Sequence, residues 1–334
     1  MRPRVVISAG RKLFESFFSP AQQARLGRIS DWQLDGAREL SASLCRKLAT
    51  AQALITTWDS PSFTSDLPRL APKLRLIAHC GGEVKKRFAR PLFEKFTISN
   101  APGPMARATA ELGAAFLLYC ARDVDHYRNQ LRRPSNKIYL ETHIHGTKER
   151  LFGRQVCMIG FGRVGRALVD LLRGFDLRWI VYDRYAPRSL AGSYPVEFRP
   201  LQALLRRAEF LVLTAALTER TRGLLDRRAL SSLPAGAAVI NIARGGLLDL
   251  AALTAEVRRG RLRCALDVTD PEEPLPSRHP LRKLRGAIVT PHIAGSGRHV
   301  RQAIAETVMD DLESFFHGRP VQNRVTKAML ERMT

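Results

Sequence analysis

The chain has 334 residues, of which 45% are hydrophobic, and a formal net charge of +23 at pH 7. This length suggests two domains, and this composition is sufficient for sizeable hydrophobic cores. No apolar run approaches the roughly 20 residues that span a bilayer, and the first residues lack the apolar core of a signal peptide. We therefore expect a cytoplasmic protein with no membrane partner.

The positive charge comes mainly from arginine, which supplies 44 of the 54 basic residues. These residues are spread along the whole chain. The densest patches, LRRPSNK and KKRFAR, are not interleaved with base-stacking aromatics in a recognisable module. We therefore do not expect specific nucleic-acid binding, although a field of this sign would draw anionic substrates inward.

The cysteines indicate neither disulfides nor a metal site. They are odd in number, scattered and mostly inside apolar segments, and no Cys-x-x-Cys pair occurs among Cys45, Cys80, Cys120, Cys157 and Cys264. This pattern favours reduced thiols in the core, and we predict no metal site.

Short β-prone runs recur along the chain with helical patterns between them, which predicts an α/β fold with parallel sheets. The runs are 5–8, 53–57, 74–80, 156–159, 179–183, 210–214, 237–241, 264–268 and 287–290.

Two helical patterns mark the places where we expect the chain to pass from one domain to the other. The breaker cluster NAPG at 100–103 precedes a long helical pattern at 108–121. Near the other end, PHIAGSG precedes an amphipathic helix with one apolar face, formed by Val300, Ile304, Val308, Leu312 and Phe315. We place one domain at 1–105 and 297–334, and the other at 106–296.

The most informative stretch is MIGFGRVGRALVDLL at 158–172, which sets three glycines between an apolar run and an amphipathic helix. Gly160 would permit a tight turn, Gly162 would let a pyrophosphate approach the backbone, and Gly165 would allow close packing of helix on strand. The helix N-terminus offers unpaired N–H groups to phosphates. We expect a dinucleotide to contact Gly160, Phe161, Gly162, Arg163, Val164 and Gly165.

An acidic residue follows about 20 residues further on, at the spacing typical of a ribose-binding acid. Asp183 ends the apolar run WIVYD, where it would hold the ribose 2′-OH. A carboxylate would repel the 2′-phosphate of NADP(H), so the sequence favours NAD(H). Arg184, directly after it, keeps NADP(H) as the less favoured alternative.

Polar residues follow three more apolar runs, where open α/β sheets place ligands. Arg244 stands beside two glycines, Glu272 and Glu273 lie in a proline-rich loop, and His292 follows a proline. Taken singly, a surface arginine or a structural histidine is the simpler interpretation. Together the three strand ends supply a guanidinium that can bind a carboxylate with two hydrogen bonds, and a histidine with a nearby acid for proton transfer.

The chain resembles the D-isomer-specific 2-hydroxyacid dehydrogenases over nearly its whole length. The motifs that carry the resemblance are LRLIAHCGGEV, NAPGPMARATAE, the glycine fingerprint, LTERTRGLL, INIARGGLLD, ALDVTDPEEPLP and TPHIAG. The resemblance implies two doubly wound parallel-sheet domains, with a Rossmann-type NAD-binding domain inserted into a flavodoxin-like substrate domain built from both chain ends. It also implies a homodimer.

By this resemblance, Arg244 would hold the carboxylate and the carbonyl oxygen of a 2-oxo acid. His292 would be the general acid in reduction and the base in oxidation. A carboxylate, that of Glu272 or Glu273, would hydrogen-bond the imidazole and stabilise its protonated form. Hydride chemistry would belong to the nicotinamide.

The resemblance implies further contacts as well. Asp267 would contact the nicotinamide carboxamide, and we expect Ala243 among the cofactor contacts. The backbone N–H groups of Gly81 and Gly82 would receive the substrate carboxylate, which makes these two glycines substrate-binding residues together with Arg244 and His292.

The chain departs from the family pattern in three places. The family usually has one glutamate before the proline of the acidic loop. Here two glutamates precede it. By its spacing from Asp267 the family's glutamate would be Glu272, whereas by its position next to Pro274 it would be Glu273. The segment LTAALTERT has Thr214 and Ala216 where many relatives carry His and Pro. Glu83 adds a negative charge to the loop expected to receive a carboxylate.

We therefore predict an oxidoreductase that transfers hydride between NAD(H) and a small anionic 2-hydroxy or 2-oxo acid. One alternative is an NAD(H)-binding regulatory or scaffold protein of the same fold. Another is a dehydrogenase of a different small anion, such as formate or phosphite, which would use the same Arg244 and His292. The presence of the arginine, the acidic pair and the histidine together favours the first.

Overall fold

The computed structural model describes residues 2–132, 137–147 and 150–333. The chain divides into two compact units. The terminal unit comprises the residues up to 105 together with those from 295 onward, and the central unit comprises residues 106–294. Each unit contains one parallel sheet among the residues described.

The sheet of the terminal unit follows the flavodoxin-like order. Its strands are β1 (Arg4–Ser8), β2 (Asp31–Asp35), β3 (Ala53–Thr56), β4 (Leu76–His79) and β5 (Thr97–Asn100). They pair in parallel in the order β2-β1-β3-β4-β5, so the strand order reverses between β1 and β3. In open sheets, ligands bind outside the carboxyl ends of the strands at such a reversal.

The sheet of the central unit follows the dinucleotide-binding order. Its strands are β6 (Gln155–Ile159), β7 (Arg178–Tyr182), β8 (Val196–Phe198), β9 (Phe210–Leu213), β10 (Ala238–Asn241), β11 (Arg263–Leu266) and β12 (Ala287–Val289). They run in parallel as β12-β11-β10-β9-β6-β7-β8, which is the 3-2-1-4-5-6 arrangement with one strand added. The prediction of two doubly wound parallel-sheet domains is confirmed.

Helices connect the strands in both units. They are α1 (Arg11–Phe17), α2 (Pro20–Ile29), α3 (Ala42–Leu48), α4 (Leu67–Leu70), α5 (Leu92–Lys95), α6 (Pro102–Ala121), α7 (Val124–Leu131), α8 (Lys137–His145), α9 (Arg163–Leu171), α10 (Leu201–Leu205), α11 (Arg227–Ser231), α12 (Leu250–Arg258) and α13 (Arg298–Phe316). Short 3₁₀ turns lie at Arg173–Phe175, Arg188–Gly192, Gly245–Leu247, Pro280–Arg282 and Lys327–Arg332.

The apolar runs of the sequence become strands because helices cover both faces of a parallel sheet. Every residue of β3, β4, β9 and β10 is buried. The sequence patterns missed three strands, β2, β5 and β8. All three lie at sheet edges; β2 and β8 vary in exposure along their length and β5 carries buried polar residues, so none forms an apolar run.

The two long helices differ in how well the sequence predicted them. In α13, Val300, Ile304, Val308 and Leu312 are buried as the apolar stripe predicts, and Phe315 is half-buried. The helix expected at 108–121 instead begins at Pro102, so the breaker cluster does not interrupt it. Proline lacks an N–H, which is unpaired in the first helical turn anyway, and it is therefore well tolerated there.

Candidate functional site

The glycine loop after β6 has the geometry of a phosphate cradle. Gly160 has φ +97°, and a Cβ there would lie 2.5 Å from the backbone nitrogen of Ala215, so only glycine fits. A Cβ on Gly165 would lie 2.8 Å from the sulfur of Met158, which shows how closely α9 packs on β6. At Gly162, the N-cap of α9, a Cβ would meet nothing within 4 Å. The backbone is therefore open where a pyrophosphate would approach.

Two side chains hold this loop in place. Asp183 accepts hydrogen bonds from the backbone N–H groups of Phe161, at 2.6 Å, and of Tyr185 and Ala186. Thr214, one of the departures from the family pattern, donates its hydroxyl to the carbonyl oxygen of Gly160 at 2.6 Å. The acid expected at the ribose thus also anchors the turn that it would serve, a role that spacing alone could not indicate.

The central unit places the predicted arginine beside a buried amide. Asn241, the last residue of β10, is fully buried, and its Nδ2 donates to the carbonyl oxygen of Arg244 at 2.9 Å. Its Oδ1 accepts from the N–H of Ala243 at 3.1 Å. The guanidinium of Arg244 is half-buried and donates to the carbonyl oxygen of Ala243 at 2.7 Å. Asn241 is therefore a positioning residue that the sequence analysis did not single out.

The loops after β10 and β11 pack directly against each other. A Cβ on Gly245 would lie 2.1 Å from the carbonyl carbon of Thr269, so only glycine can follow Arg244 at this contact. Thr269 begins the acidic loop. Its hydroxyl donates to the carbonyl oxygen of Glu272 at 2.6 Å, and its N–H donates to Oε1 of Glu273 at 3.3 Å. The arginine and the acidic loop are thereby held at the same sheet edge.

The imidazole of His292 contacts Glu273. Its Nδ1 lies 2.9 Å from Oε2 of Glu273, and the two side chains are 45% and 37% exposed. Glu272 is exposed, and it bonds to Thr269 of this loop through its backbone carbonyl oxygen. Of the two glutamates that sequence counting left open, Glu273 is therefore the one whose carboxylate is paired with the histidine.

Asp267 anchors the turn that carries His292. It is 1% exposed, and its carboxylate accepts from the Thr290 hydroxyl at 2.5 Å and from the N–H groups of Ile293 and Ala294 at 2.8 and 3.0 Å. His292 itself has φ +55°, an uncommon conformation for a residue with a side chain, and the buried carboxylate supports it. The contact expected between Asp267 and the nicotinamide stays a prediction.

In the terminal unit, the two predicted carboxylate-binding glycines follow β4. The N–H of Gly81 donates to the carbonyl oxygen of His79 at 2.8 Å, so it is already engaged. Across residues 2–132, 137–147 and 150–333, no atom accepts a hydrogen bond from the N–H of Gly82. Glu83 turns its carboxylate to the N–H of Lys86 at 2.8 Å, which partly satisfies its charge within its own turn.

Comparison with known proteins decides the family. Residues 114–294, more than half of the chain, match the model of the "D-isomer specific 2-hydroxyacid dehydrogenase, NAD binding domain". A glyoxylate reductase of Pyrococcus horikoshii is 30% identical, with 86% of each chain covered. The chain belongs to the D-isomer specific 2-hydroxyacid dehydrogenases.

Two further relatives of this dehydrogenase differ in how much of their length it spans. A D-3-phosphoglycerate dehydrogenase of Methanocaldococcus jannaschii is 30% identical over 84% of this chain, but the chain spans only 53% of that protein. The TT0316 protein of Thermus thermophilus, a solved structure, has 28% identity and a TM-score of 0.77, with coverage of 97% and 100%. The match therefore extends over both units of the dehydrogenase.

NAD(H) fits the dehydrogenase's glycine loop, because the backbone is open at Gly162 and an acid follows β7. In the described part of the chain, no three metal-ligating side chains are grouped as a metal ion requires. None of the helices described has the length and apolar character needed to cross a membrane. The cysteines are free, and burial raises the pKa of Cys120 to about 11 and that of Cys157 to about 12.

Proposed function

We propose that this dehydrogenase reduces small 2-oxo acids with NADH, and oxidises the corresponding 2-hydroxy acids with NAD⁺, through His292 and Arg244. The observation that carries the proposal is the 2.9 Å contact between His292 Nδ1 and Glu273 Oε2, at the sheet edge where Arg244 also lies. Open sheets of this class bind their ligands at that edge.

The pairing of His292 with Glu273 supports Nε2 as the nitrogen that transfers the proton. With Nδ1 donating to Glu273, Nε2 is the ring position left for the substrate. In reduction, protonated His292 gives the Nε2 proton to the carbonyl oxygen as that oxygen gains negative charge. The carboxylate of Glu273 balances the charge of the imidazolium. In oxidation, neutral His292 takes the hydroxyl proton at the same nitrogen.

Arg244 supplies the fixed positive charge for the substrate. A guanidinium is planar and always protonated, so it can hold a carboxylate with two parallel hydrogen bonds and polarise a neighbouring carbonyl. Its backbone is fixed by Asn241 and by the contact of Gly245 with Thr269. We assign substrate orientation to Arg244 and proton transfer to His292.

The cofactor would be held by the glycine loop, from Gly160 to Gly165, with Asp183 at the ribose. When bound, the nicotinamide supplies the hydride. Asp183 keeps lone pairs for a ribose hydroxyl although it already accepts three backbone hydrogen bonds, because a carboxylate offers about four acceptor sites. Its negative charge favours NADH over NADPH.

The experiment is a 340 nm assay with NADH and NADPH against a panel of 2-oxo acids from glyoxylate and pyruvate to bulky aromatic ones. We expect NADH-dependent turnover with small acids. The His292→Ala variant should lose about 10²- to 10⁴-fold in turnover, the usual contribution of general acid catalysis, while it binds NADH as tightly as the wild type. Wild-type rates in that variant would refute the assignment. Tight NADH binding without turnover on any acid would support the scaffold or other-anion alternatives.

We also propose that the enzyme is a homodimer formed through the central unit. Large apolar side chains are exposed on α7, α8 and the segment after them, at Leu131, Tyr139, Leu140, Ile144 and Phe152. Large exposed apolar side chains that are close in sequence are the residues a protein interface would cover. Light scattering after size exclusion should give a mass near twice 37.4 kDa, and Ile144→Glu should shift the protein to monomer.

A further inference from the structure

Trp58 stands at the carboxyl edge of the terminal sheet, in line with the glycines that follow β4. β3 and β4 pair in parallel with Thr56 opposite His79 as the last pair, and Trp58 lies in the turn that follows β3, two residues past Thr56. β3 also borders the reversal of strand order. Trp58 therefore lies at the position where a sheet of this order binds a ligand.

The indole nitrogen of Trp58 lies on the side of Gly81 where a side chain would project. A Cβ on Gly81 would be 2.9 Å from Trp58 Nε1 and 2.8 Å from His79 Nε2, so no side chain could occupy this space. Within the described ranges 2–132, 137–147 and 150–333, nothing accepts a hydrogen bond from this indole N–H. Within the same described ranges, nothing accepts a hydrogen bond from the N–H of Gly82, the next residue along the chain.

Three contacts fix the orientation of the indole. The ring of Phe17 packs edge-on against it, with centroids 5.1 Å apart. The guanidinium of Arg301 lies 4.9 Å from its centroid, and Arg301 NH1 donates to the hydroxyl of Ser16 at 2.9 Å. Arg87 donates to the backbone carbonyl oxygen of Trp58 at 2.9 Å. The donor is thus held in place, with Arg301 at the ring and Arg87 at the backbone of Trp58, while the carboxylates of Asp59 and Glu83 also lie close enough to act on Arg87.

We propose that Trp58 is a substrate-binding residue, whose indole N–H and the N–H of Gly82 together donate to the carboxylate of the 2-oxo acid. This inference rests on the proposed function for the identity of the anion. In this proposal Arg301 acts on anion binding only by positioning the indole.

Trp58→Phe tests the proposal because it removes the donor and keeps an aromatic ring for Phe17 and Arg301. Trp32→Phe, the same substitution on β2 of the same sheet, is the matched control. Binding of oxamate, an unreactive analogue of a 2-oxo acid, is measured calorimetrically in the presence of NADH, together with KM and kcat for the best acid of the panel. We expect Trp58→Phe to weaken oxamate binding and to raise KM about 10- to 100-fold, as for loss of a hydrogen bond to a charged group.

The kcat of Trp58→Phe and its affinity for NADH should stay close to those of Trp32→Phe. Oxamate affinity and KM equal in the two variants would overturn the inference, even with full reductase activity in the wild type. If the wild type turns over no acid but Trp58→Phe still binds oxamate more weakly than the control, the proposed function fails and this inference stands.

A second measurement covers the case in which Trp58→Phe does not fold. In the double variant Trp32→Phe/Trp179→Phe, Trp58 is the only tryptophan that remains. Addition of oxamate to its NADH complex should then change tryptophan emission in a saturable way. Emission unchanged at oxamate concentrations that inhibit the enzyme would overturn the proposal.

Discussion

The carboxyl edges of the two sheets carry different chemistry although both belong to doubly wound parallel folds. The edge of the central sheet presents ionisable side chains, Arg244, Glu273 and His292, each supported by neighbouring loops. The edge of the terminal sheet presents neutral N–H donors at Gly82 and Trp58. Under the roles proposed above, variants of the central edge should lower kcat, whereas variants of the terminal edge should raise KM.

The buried histidine of the terminal unit makes the contrast sharper. His79 is 2% exposed and shares a hydrogen bond with the Thr56 hydroxyl, with 2.9 Å between His79 Nδ1 and Thr56 Oγ1. Burial lowers the pKa of His79 to about 3, so this imidazole stays neutral at the pH at which the enzyme would work. His292 is instead 45% exposed and next to a carboxylate. The two histidines therefore differ in environment: His79 is buried and neutral, whereas His292 is exposed beside a carboxylate, as the proposed proton transfer requires.

The largest effect is expected from breaking the pair of His292 and Glu273 at the carboxyl edge of the central sheet. Glu273→Gln should lower kcat for the preferred 2-oxo acid by about 10²-fold, within the range typical of general acid–base catalysis, because the imidazolium loses its counter-charge. Glu272→Gln is the matched control, with the same change one residue away and no contact to the ring. The measurement is steady-state kinetics at pH 7. Equal losses in both variants, or a loss only in Glu272→Gln, would refute the pairing.

The next effect concerns the glycine loop. Gly162→Ala should weaken NADH binding about tenfold or more, since the added methyl group would stand where a pyrophosphate approaches the backbone. Thermal stability of the free protein should change little, because nothing lies within 4 Å of that position. Gly174→Ala, an exposed glycine of the same unit with equally open space, is the control. Calorimetric titration with NADH measures the affinity, and unchanged binding in Gly162→Ala would contradict this placement of the cofactor.

A further prediction concerns how the stability of the terminal unit depends on pH through His79. The pKa of His79 is lower in the folded protein than in the unfolded chain. Between pH 6.5 and about 3, His79 is therefore protonated in the unfolded chain and neutral in the folded protein. Stability contributed by His79 is therefore fully present above pH 6.5 and is lost as pH falls, by up to about 1.4 kcal/mol per pH unit.

Urea unfolding at pH 7 and pH 5 measures the contribution of His79 to the free energy of unfolding. The wild type should lose about 2 kcal/mol more unfolding free energy between these two pH values than His79→Gln does. The exposed His126, changed to Gln, is the control and should retain the wild-type pH dependence. An identical pH dependence in the wild type and His79→Gln would show that His79 is protonated in the folded protein.

Much of the fold could be predicted because both faces of each sheet are covered. Buried parallel strands such as β9 and β10 are continuous apolar runs, and the glycine fingerprint needs only a strand, a turn and a helix. The edge strands β2 and β8 escaped prediction because half-exposed strands carry no such run. The family assignment from motifs is confirmed by the match over residues 114–294.

Details of the candidate site needed tertiary structure. Sequence counting could not choose between Glu272 and Glu273, because the choice depends on how the loop folds back on Thr269. It could not show that the N–H of Gly81 is already engaged. Nor could it show that the Trp58 indole lies close to Gly81, because the two residues are 23 positions apart and are brought together by the turns that follow β3 and β4.

The turn anchored by Asp267 has a consequence for local stability. It extends from β12, a three-residue edge strand whose side chains are all only half-buried, and short exposed edges open at lower free energy than a sheet interior. His292, to which we assign the proton transfer, thus follows one of the weakest parts of its sheet. We expect amide exchange in β12 to be faster than in β10 and mild heating to abolish activity before the molecule melts. Asp267 then limits how far that opening can proceed under ordinary conditions.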